Sequence, residues 1–228
     1  MRGRVALVTG GSGGIGAALC EMLTAEGATV AVHYNAHRPA ADHAFQADLR
    51  DRAAPDGLID AVEAALGPID ILAANAGLSR PASYEDVDAA AFDETLAVNL
   101  RAPFLLARRV LPGMIERGFG RVLFTSSIAA LTGGVVGPHY AATKAGLHGL
   151  THHLAARVVR DGVTVNAIAP ALIADTRILP GDPEQLAARV PVGRLGTPAE
   201  VADLALAMLR NGYLTSKVIA LDGGIYPS

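Results

Sequence analysis

The chain has 228 residues, of which 51% are hydrophobic, and its formal net charge is −3. This length and composition predict one large α/β domain with a sizeable buried core. The small negative charge and the lack of a basic run argue against nucleic acid as the main partner. No apolar run reaches the roughly 18 residues that a membrane-spanning helix needs, so we expect no membrane partner.

The N-terminus and the single cysteine bear on where the protein works. Residues 1–5 lead directly into a strand pattern, so we do not expect a signal peptide. Cys20 has no intrachain partner for a disulfide, and its helical context predicts a core position. Because no group of Cys and His has the spacing of a zinc site, we expect no metal. Together these features predict a cytoplasmic protein.

The first predicted strand leads into a glycine-rich turn. Residues 5–8 form a short apolar run, residues 9–16 read Thr-Gly-Gly-Ser-Gly-Gly-Ile-Gly, and a helical pattern follows. In this setting the helix N-terminus can bind a pyrophosphate, whereas a lone glycine run would be typical of a flexible linker. The flanking strand and helix favour a nucleotide site. Its predicted contacts are Gly10, Ser12, Gly14, Ile15 and Gly16.

The second predicted strand, residues 29–33, should end beside the adenosine ribose of a bound dinucleotide. An acidic residue there would favour NAD, but Tyr34 and Asn35 follow the strand instead. Arg38 either pairs with the 2′-phosphate of NADP or is a solvated loop residue. We therefore expect NADP(H) rather than NAD(H), with Asn35 and Arg38 as contacts.

The third predicted strand, residues 44–47, begins only about ten residues after the second ends. A parallel crossover usually needs a dozen residues or more, so we expect a truncated helix or a loop here. One face of the sheet would then be thinly covered. Asp48 and Leu49 follow this strand as candidate adenine contacts, and Asp48 has the alternative role of capping a helix.

Two asparagines are candidate functional residues because of where they lie in the predicted elements. Asn75 follows the fourth predicted strand with Ala76 and Gly77, small residues that suit close approach of a cofactor. The Asn75 side chain could instead brace neighbouring strands. Asn99 lies within a long helical segment, residues 88–111, where its amide competes for backbone hydrogen bonds. We expect a local break or a bound water at Asn99.

A candidate acid–base pair follows the fifth predicted strand. Ser127 comes just after an apolar run at residues 122–125, and Tyr140 and Lys144 are four apart in the next helical pattern. That spacing places Tyr140 and Lys144 on one face, with roughly 5–6 Å between Cβ atoms. The ammonium should lower the phenol pKa from about 10, so that the phenol can exchange a proton at working pH. Ser127 can hold a carbonyl beside it, although Tyr-x-x-x-Lys also occurs by chance on many helices.

Strand and helix patterns continue to alternate to the C-terminus. Residues 170–191 contain several prolines and little periodicity, which predicts a lid over the substrate. Residues 197–200, Thr-Pro-Ala-Glu, have the pattern of a capping box. Because the alternation has no break, we predict a single domain, residues 1–228. Its fold is α/β: a doubly wound, Rossmann-like parallel sheet of about seven strands with helices on both faces.

Several of these motifs occur together in one order: residues 9–16, Asn75-Ala76-Gly77, Asn99, Ser127, Tyr140 with Lys144, Asn166 with Pro170, and Asp222-Gly223-Gly224. On these residues the chain resembles the classical short-chain dehydrogenases/reductases over essentially its whole length. Ser127 precedes Tyr140 by 13 positions, as in that family. Within the family, residues 192–202 look most like the 3-oxoacyl-[acyl-carrier-protein] reductases.

The resemblance implies hydride transfer between a nicotinamide and a carbonyl carbon. Tyr140 would protonate the alkoxide, and Ser127 would orient the carbonyl. Lys144 would hold the nicotinamide ribose and lower the Tyr140 pKa, while Asn99 would hold a water that links Lys144 to solvent. Further implied cofactor contacts are Pro170, Ile173 and Thr176.

The chain also departs from the family pattern. Gly13 stands where NADP(H)-preferring members often carry a basic residue, which weakens the expectation of NADP(H). Ala171 and Asp175 replace the usual Gly and Thr that follow Pro170, so Thr176 is assigned to the nicotinamide in their place.

The resemblance also implies an assembly and a class of substrate. We expect a homotetramer, or else a dimer, with the helices of residues 88–111 and 140–160 at its interfaces. The substrate would be a small-molecule or carrier-protein-bound carbonyl compound. Arg117, Arg121 and Arg160 would form a basic patch for an acidic carrier protein, unless they are simply solvated.

Three functions are therefore weighed from the sequence. The first is an NADPH-dependent ketoreductase acting on a 3-oxoacyl thioester or similar ketone. The second is an NAD-linked alcohol or sugar dehydrogenase. The third is a nucleotide-binding protein without catalysis, and the intact set of Asn99, Ser127, Tyr140 and Lys144 argues against it.

Overall fold

One seven-stranded parallel sheet forms the centre of the computed structural model, which describes residues 1–176, 179 and 181–226. The strand order is 3-2-1-4-5-6-7. The strands are β1 Val5–Val8, β2 Thr29–Tyr34, β3 Ala44–Gln46, β4 Ile71–Ala74, β5 Gly120–Thr125, β6 Val163–Pro170 and β7 Val218–Leu221. Because the order reverses between β1 and β4, a ligand-binding crevice is expected beyond their carboxyl ends. The predicted doubly wound sheet is confirmed.

Helices cover both faces of this sheet. They are α1 Gly14–Ala25, α2 Ala54–Leu66, α3 Ala89–Leu96, α4 Ala102–Glu116, α5 Ala129–Thr132, α6 Pro138–Val158, α7 Pro183–Ala187 and α8 Pro198–Arg210. Helices α2, α4 and α6 pack on one face and α1 and α8 on the other, each face forming its own apolar cluster. Alternation along β1 shows the division, since Val5 and Leu7 belong to the first cluster and Ala6 and Val8 to the second. No helix among the described residues has the length and apolar character of a membrane span.

The connection between β2 and β3 contains no helix, as the short spacing predicted. Residues 35–43 form bends and turns instead. Strand β3 is the edge of the sheet, and its Ala44 and Phe45 are only partly buried. The sheet face is therefore thinly covered here, and the polypeptide after β2 follows a path that no helix constrains.

The long helix predicted around Asn99 is interrupted. A π-helical turn, Ala97–Arg101, separates α3 from α4 and contains Asn99. Pro103 lies in the first turn of α4, directly after the π turn. Helix α4 then continues through Pro112 to Glu116, and Met114 in its last turn is fully buried.

Helix α8 begins with the predicted capping box. The Thr197 hydroxyl accepts a hydrogen bond from the Glu200 amide at 3.2 Å, and the Glu200 carboxylate accepts one from the Thr197 amide at 2.9 Å. Arg194 pairs with the same carboxylate at 2.6 Å. These contacts fix the start of the helix that covers β5 and β6.

Candidate active site

A cleft of about 800 Å³ lies at the carboxyl ends of the parallel strands. It is lined by every residue that the sequence assigned to catalysis or cofactor binding, except Gly16, Arg38 and Asn99. The loops that follow β1 to β6 all contribute to it. The crevice expected from the strand order is therefore the place where the predicted residues meet.

The glycine-rich turn forms one wall of the cleft and requires glycine for reasons of space. A Cβ on Gly10 would lie 2.9 Å from Ala76 Cα, and one on Gly16 would lie 2.2 Å from Gly10 O. Gly10 also has a φ of +66°, which side chains rarely adopt. Gly16 thus allows the turn to pack on the start of α1 and does not itself line the cleft.

The N-terminus of α1 opens into this cleft without a cap of its own. No side chain caps it, and its first turn carries no acidic residue. The free N–H groups and the positive end of the helix dipole suit an anion. The turn therefore fits the pyrophosphate of a dinucleotide.

Asn75 braces the strand ends around the turn. Its Nδ2 donates to the main-chain oxygens of Thr9 at 3.1 Å and Gly10 at 3.3 Å. Its Oδ1 accepts a hydrogen bond from the Thr125 hydroxyl at 3.3 Å. The bracing role weighed from the sequence is thus present, and Asn75 also lines the cleft.

Of the two residues expected at the ribose, Asn35 and Arg38, only Asn35 lines the cleft. Asn35 and His37 line the cleft, whereas Arg38 lines a separate shallow hollow beside Phe45 and α2. Since no helix constrains the chain after β2, a shift of one residue in this loop changes which side chain enters the cleft. Arg38 does not line the cleft in this conformation.

Asp48 pairs with a neighbour and caps no helix. Its carboxylate accepts hydrogen bonds from Arg50, the shortest at 2.6 Å, and Arg50 also pairs with Glu94 at 3.2 Å. These bonds to Arg50 hold the pKa of Asp48 below its usual value. The exposed ion pairs join the loop after β3 to α3 across the rim of the cleft.

Tyr140 and Lys144 lie buried at the base of the cleft, on the first turns of α6. The Lys144 ammonium is 5.6 Å from the centre of the Tyr140 ring and donates to Thr125 O at 2.7 Å. Burial lowers the pKa of Lys144 to about 8. Burial also raises the pKa of Tyr140, and a hydrogen bond with Ser127 only partly opposes this. The expected lowering of the phenol pKa is therefore not found, because burial raises this pKa by more than the hydrogen bond with Ser127 lowers it.

Asn99 does not line the cleft itself but supports a residue that does. It is fully buried, and its side chain forms a pair of hydrogen bonds with Leu78, accepting from the amide at 2.7 Å and donating to the oxygen at 2.9 Å. Its Nδ2 also lies 3.4 Å from the Thr143 hydroxyl, next to Lys144. The π turn thus uses Asn99 to hold the loop after β4, which lines the cleft at Leu78.

Several apolar side chains also line the cleft, among them Leu78, Val136, Leu172 and Leu186. Arg189 is one of the cationic residues that line it. Arg189 is exposed and forms no ion pair with any residue that the structure describes. The predicted lid, residues 170–191, includes residues 177, 178 and 180, which lie outside the described ones.

Two arginines of the predicted carrier-protein patch have structural roles instead. Arg117 donates to Ile69 O at 2.7 Å, and Arg121 donates to Leu209 O at 3.1 Å while its guanidinium packs on Phe119. Both arginines lie at the amino ends of the strands, whereas the cleft lies at the carboxyl ends. Their position does not support a docking patch that would serve this cleft.

His33 also lines the cleft, and the sequence did not single it out. His33 lies in β2 beneath the glycine-rich turn and contacts main-chain atoms on both sides. The sequence did contain a feature that could have indicated its role, namely a polar residue within a run of mostly apolar residues predicted to form a buried strand.

Comparison with known proteins agrees with this geometry. The family model described as "short chain dehydrogenase" matches residues 4–186. An acetoacetyl-CoA reductase of Rhizobium meliloti is 40% identical over 239 residues, covering 98% of each chain. The 3-oxoacyl-[acyl-carrier-protein] reductase MabA of Mycobacterium tuberculosis is 36% identical, covering 97% of this chain and 92% of that one. A blue fluorescent protein from a metagenomic library, solved in complex with NADPH, superposes with a TM-score of 0.91 at 31% identity and covers 99% of both chains.

Proposed function

The chain belongs to the short-chain dehydrogenase/reductase family and is an NAD(P)-dependent oxidoreductase; from this premise we propose that it uses NADPH to reduce the ketone of a 3-oxoacyl thioester. One observation carries the proposal. Tyr140, Lys144 and Ser127 line one cleft together with the uncapped N-terminus of α1 and several apolar side chains. The helix N-terminus suits a dinucleotide, and the apolar side chains suit an acyl chain.

The protonation states favour reduction at neutral pH. NADPH supplies the hydride when it is bound. Ser127 donates a hydrogen bond to the substrate oxygen, and Tyr140 transfers its proton to that oxygen as it becomes an alkoxide. Because burial raises the pKa of Tyr140, the phenol holds its proton at neutral pH and can act as the general acid.

Lys144 and Asn99 support the acid. With a pKa of about 8, Lys144 is mostly charged at pH 7 and can bind the ribose hydroxyls of the nucleotide. Its ammonium also stabilises any negative charge that develops on Tyr140. Asn99, which lies beside Thr143, would hold the water that links Lys144 to solvent.

The substrate side of the cleft supports a thioester with an anionic carrier. The apolar lining suits a short acyl chain, and the exposed Arg189, which also lines the cleft, suits a phosphate. Both coenzyme A and a phosphopantetheine arm provide a phosphate beyond the thioester. The relatives named acetoacetyl-CoA reductase and 3-oxoacyl-[acyl-carrier-protein] reductase support the same class of substrate.

The choice of NADPH rests on the end of β2. No acidic residue stands there to accept from both ribose hydroxyls, and Asn35 and His37 line the cleft. The NADPH complex of a structural relative supports this choice. Because His37 lines the cleft and Arg38 does not, His37 becomes the candidate partner of the 2′-phosphate.

We also propose that the protein works as a homotetramer in the cytoplasm. Phe92, Leu96 and Phe104, on α3 and α4, each leave more than a third of their surface exposed, which suits burial against another subunit. Cys20 is buried and free, which suits a reducing compartment.

Steady-state kinetics with paired cofactors and substrates tests the proposal. Acetoacetyl-CoA, its N-acetylcysteamine thioester, a simple ketone and a polyol would each be assayed with NADPH or NADH, or with the oxidised forms for the polyol. We expect the highest kcat/KM for acetoacetyl-CoA with NADPH. A preference for NAD⁺ and the polyol would instead identify an NAD-linked dehydrogenase, and failure to reduce either thioester would refute the proposed substrate.

A further inference from the structure

His33 is a buried histidine that joins two main-chain segments beneath the nucleotide site. Only 2% of its surface is exposed. Its Nδ1 is 3.1 Å from the Gly10 amide nitrogen, and its Nε2 is 3.0 Å from Ala47 O. Gly10 begins the glycine-rich turn and Ala47 follows β3, so one imidazole connects two walls of the cleft.

The two partners determine the protonation of the ring. The Gly10 amide can only donate, so Nδ1 must carry no proton. The Ala47 oxygen can only accept, so Nε2 must carry one. A single form, the neutral imidazole with its proton on Nε2, satisfies both bonds. Burial, which lowers the pKa of His33, favours the same neutral form.

The two main-chain polar groups of Gly10 are each held by a different side chain. His33 accepts from its amide, and Asn75 Nδ2 donates to its oxygen at 3.3 Å. Gly10 packs closely on Ala76, since a Cβ added to Gly10 would lie only 2.9 Å from Ala76 Cα. The backbone conformation of Gly10 sets the path of residues 11–14, whose amides lead into the N-terminus of α1.

We propose that His33, as the neutral Nε2–H tautomer, is a positioning residue for the nucleotide site. It holds the Gly10 peptide so that the glycine-rich turn is already in the conformation that binds a pyrophosphate. Less ordering is then needed on binding, so the affinity for the dinucleotide is higher. The inference rests on the dinucleotide site and is independent of the proposed substrate, because it concerns binding of the nucleotide alone.

Two substitutions separate the two hydrogen bonds of the ring. In His33→Asn the carboxamide oxygen comes close to the position of Nδ1, so the bond from Gly10 is kept and the bond to Ala47 is lost. In His33→Gln the terminal amide nitrogen comes close to the position of Nε2, so the bond to Ala47 is kept and the acceptor for Gly10 is lost. The same pair of substitutions at His153, which is exposed on α6, provides the control.

Isothermal titration of each variant with NADPH measures the effect directly. We expect His33→Asn to bind within about threefold of the unsubstituted protein. We expect His33→Gln to bind about tenfold more weakly, the scale of one lost hydrogen bond. Equal affinities for the two variants, or tighter binding by His33→Gln, would overturn the proposal, and the His153 variants should match the unsubstituted protein.

The tautomer is tested without any substitution. Nitrogen NMR of the unliganded protein labelled with ¹⁵N-histidine should show His33 with a protonated Nε2 and an unprotonated Nδ1 at neutral pH. A proton on Nδ1, or a doubly protonated ring, would overturn the inference even if both variants failed to fold. Failure of the thioester assays would leave both of these measurements unaffected.

Discussion

The Lys144 ammonium lies 5.6 Å from the centre of the Tyr140 ring while it donates its hydrogen bond to Thr125 O, at 2.7 Å. Both side chains are almost fully buried, and burial disfavours the charged form of each. The pKa of Tyr140 therefore rises and that of Lys144 falls to about 8. The free site thus combines a protonated phenol with an ammonium that is ready to bind the nucleotide ribose.

Tyr140→Phe should separate catalysis from binding. The substitution removes the proposed acid and keeps the ring that packs with Ala129 and Val136. We expect turnover to fall by about 10²- to 10⁴-fold while the Kd for NADPH stays within about twofold. Turnover equal to that of the unsubstituted protein would show that another group supplies the proton.

Lys144→Met should stabilise the free protein at neutral pH. The pKa of Lys144 is about 8 in the folded state and near 10.5 when the chain is unfolded, so the unfolded chain binds this proton more tightly. The charged lysine therefore costs folding stability at and below pH 8, and this cost disappears as the pH rises from about 8 to 10.5. After subtracting the lost bond to Thr125, we expect the variant to gain about 2 kcal/mol at pH 7, or roughly 4–8 °C in Tm.

Thermal unfolding at pH 7 and near pH 10 checks this prediction. The advantage of Lys144→Met should shrink at the higher pH, because the unsubstituted lysine is then neutral in the folded state. Lys217→Met, at an exposed position, serves as the control and should change Tm little at either pH. A lower Tm for Lys144→Met at pH 7 would contradict the inferred cost of the buried charge.

Asn99→Ala should destabilise the fold and loosen the cleft. It leaves the amide and the oxygen of Leu78 without the partners that they have at 2.7 and 2.9 Å. We expect a loss of about 2–3 kcal/mol in the free energy of unfolding, measured with urea. Asn99→Asp should lose at least as much, because a carboxylate cannot donate to Leu78 O; a fully stable Asn99→Asp protein would contradict the assigned contacts.

Arg189→Met should weaken binding of phosphate-bearing substrates alone. If Arg189 contacts the carrier phosphate, the KM for acetoacetyl-CoA should rise about fivefold to tenfold. The KM for the N-acetylcysteamine thioester, which has no phosphate, should not change. Arg157→Met provides a matched control at an exposed position on α6. An equal rise for both thioesters would assign Arg189 a structural role.

Local patterns predicted most of the fold and most of the cleft. Gly10 and Gly14 were found because a strand, a glycine-rich turn and a helix are contiguous in the sequence. The short spacing between β2 and β3 predicted a truncated helix or a loop, and the structure has a loop. That loop explains why His37 lines the cleft and Arg38 does not, since the path of an unconstrained loop is not determined by the pattern of its residues.

Properties that depend on distant contacts were not predicted. His33 was missed because its partners are main-chain atoms of Gly10 and Ala47, each more than ten residues away. The pKa of Tyr140 was expected to fall, since spacing along a helix reveals the neighbouring ammonium but not the depth of burial. The role of Arg117 likewise depends on a distant contact, because its guanidinium donates a hydrogen bond to the main-chain oxygen of Ile69.

Transfer of deuterium from labelled NADPH tests the central claim most directly. The protein would be incubated with acetoacetyl-CoA and with each of the two forms of NADPH deuterated at C4, and the product would be analysed by mass spectrometry. One of the two forms should yield 3-hydroxybutanoyl-CoA with a single deuterium at C3 for each NADPH oxidised. Product without deuterium from both forms, or no 3-hydroxyacyl thioester at all, would contradict the proposal that this site reduces a 3-oxoacyl thioester by direct hydride transfer.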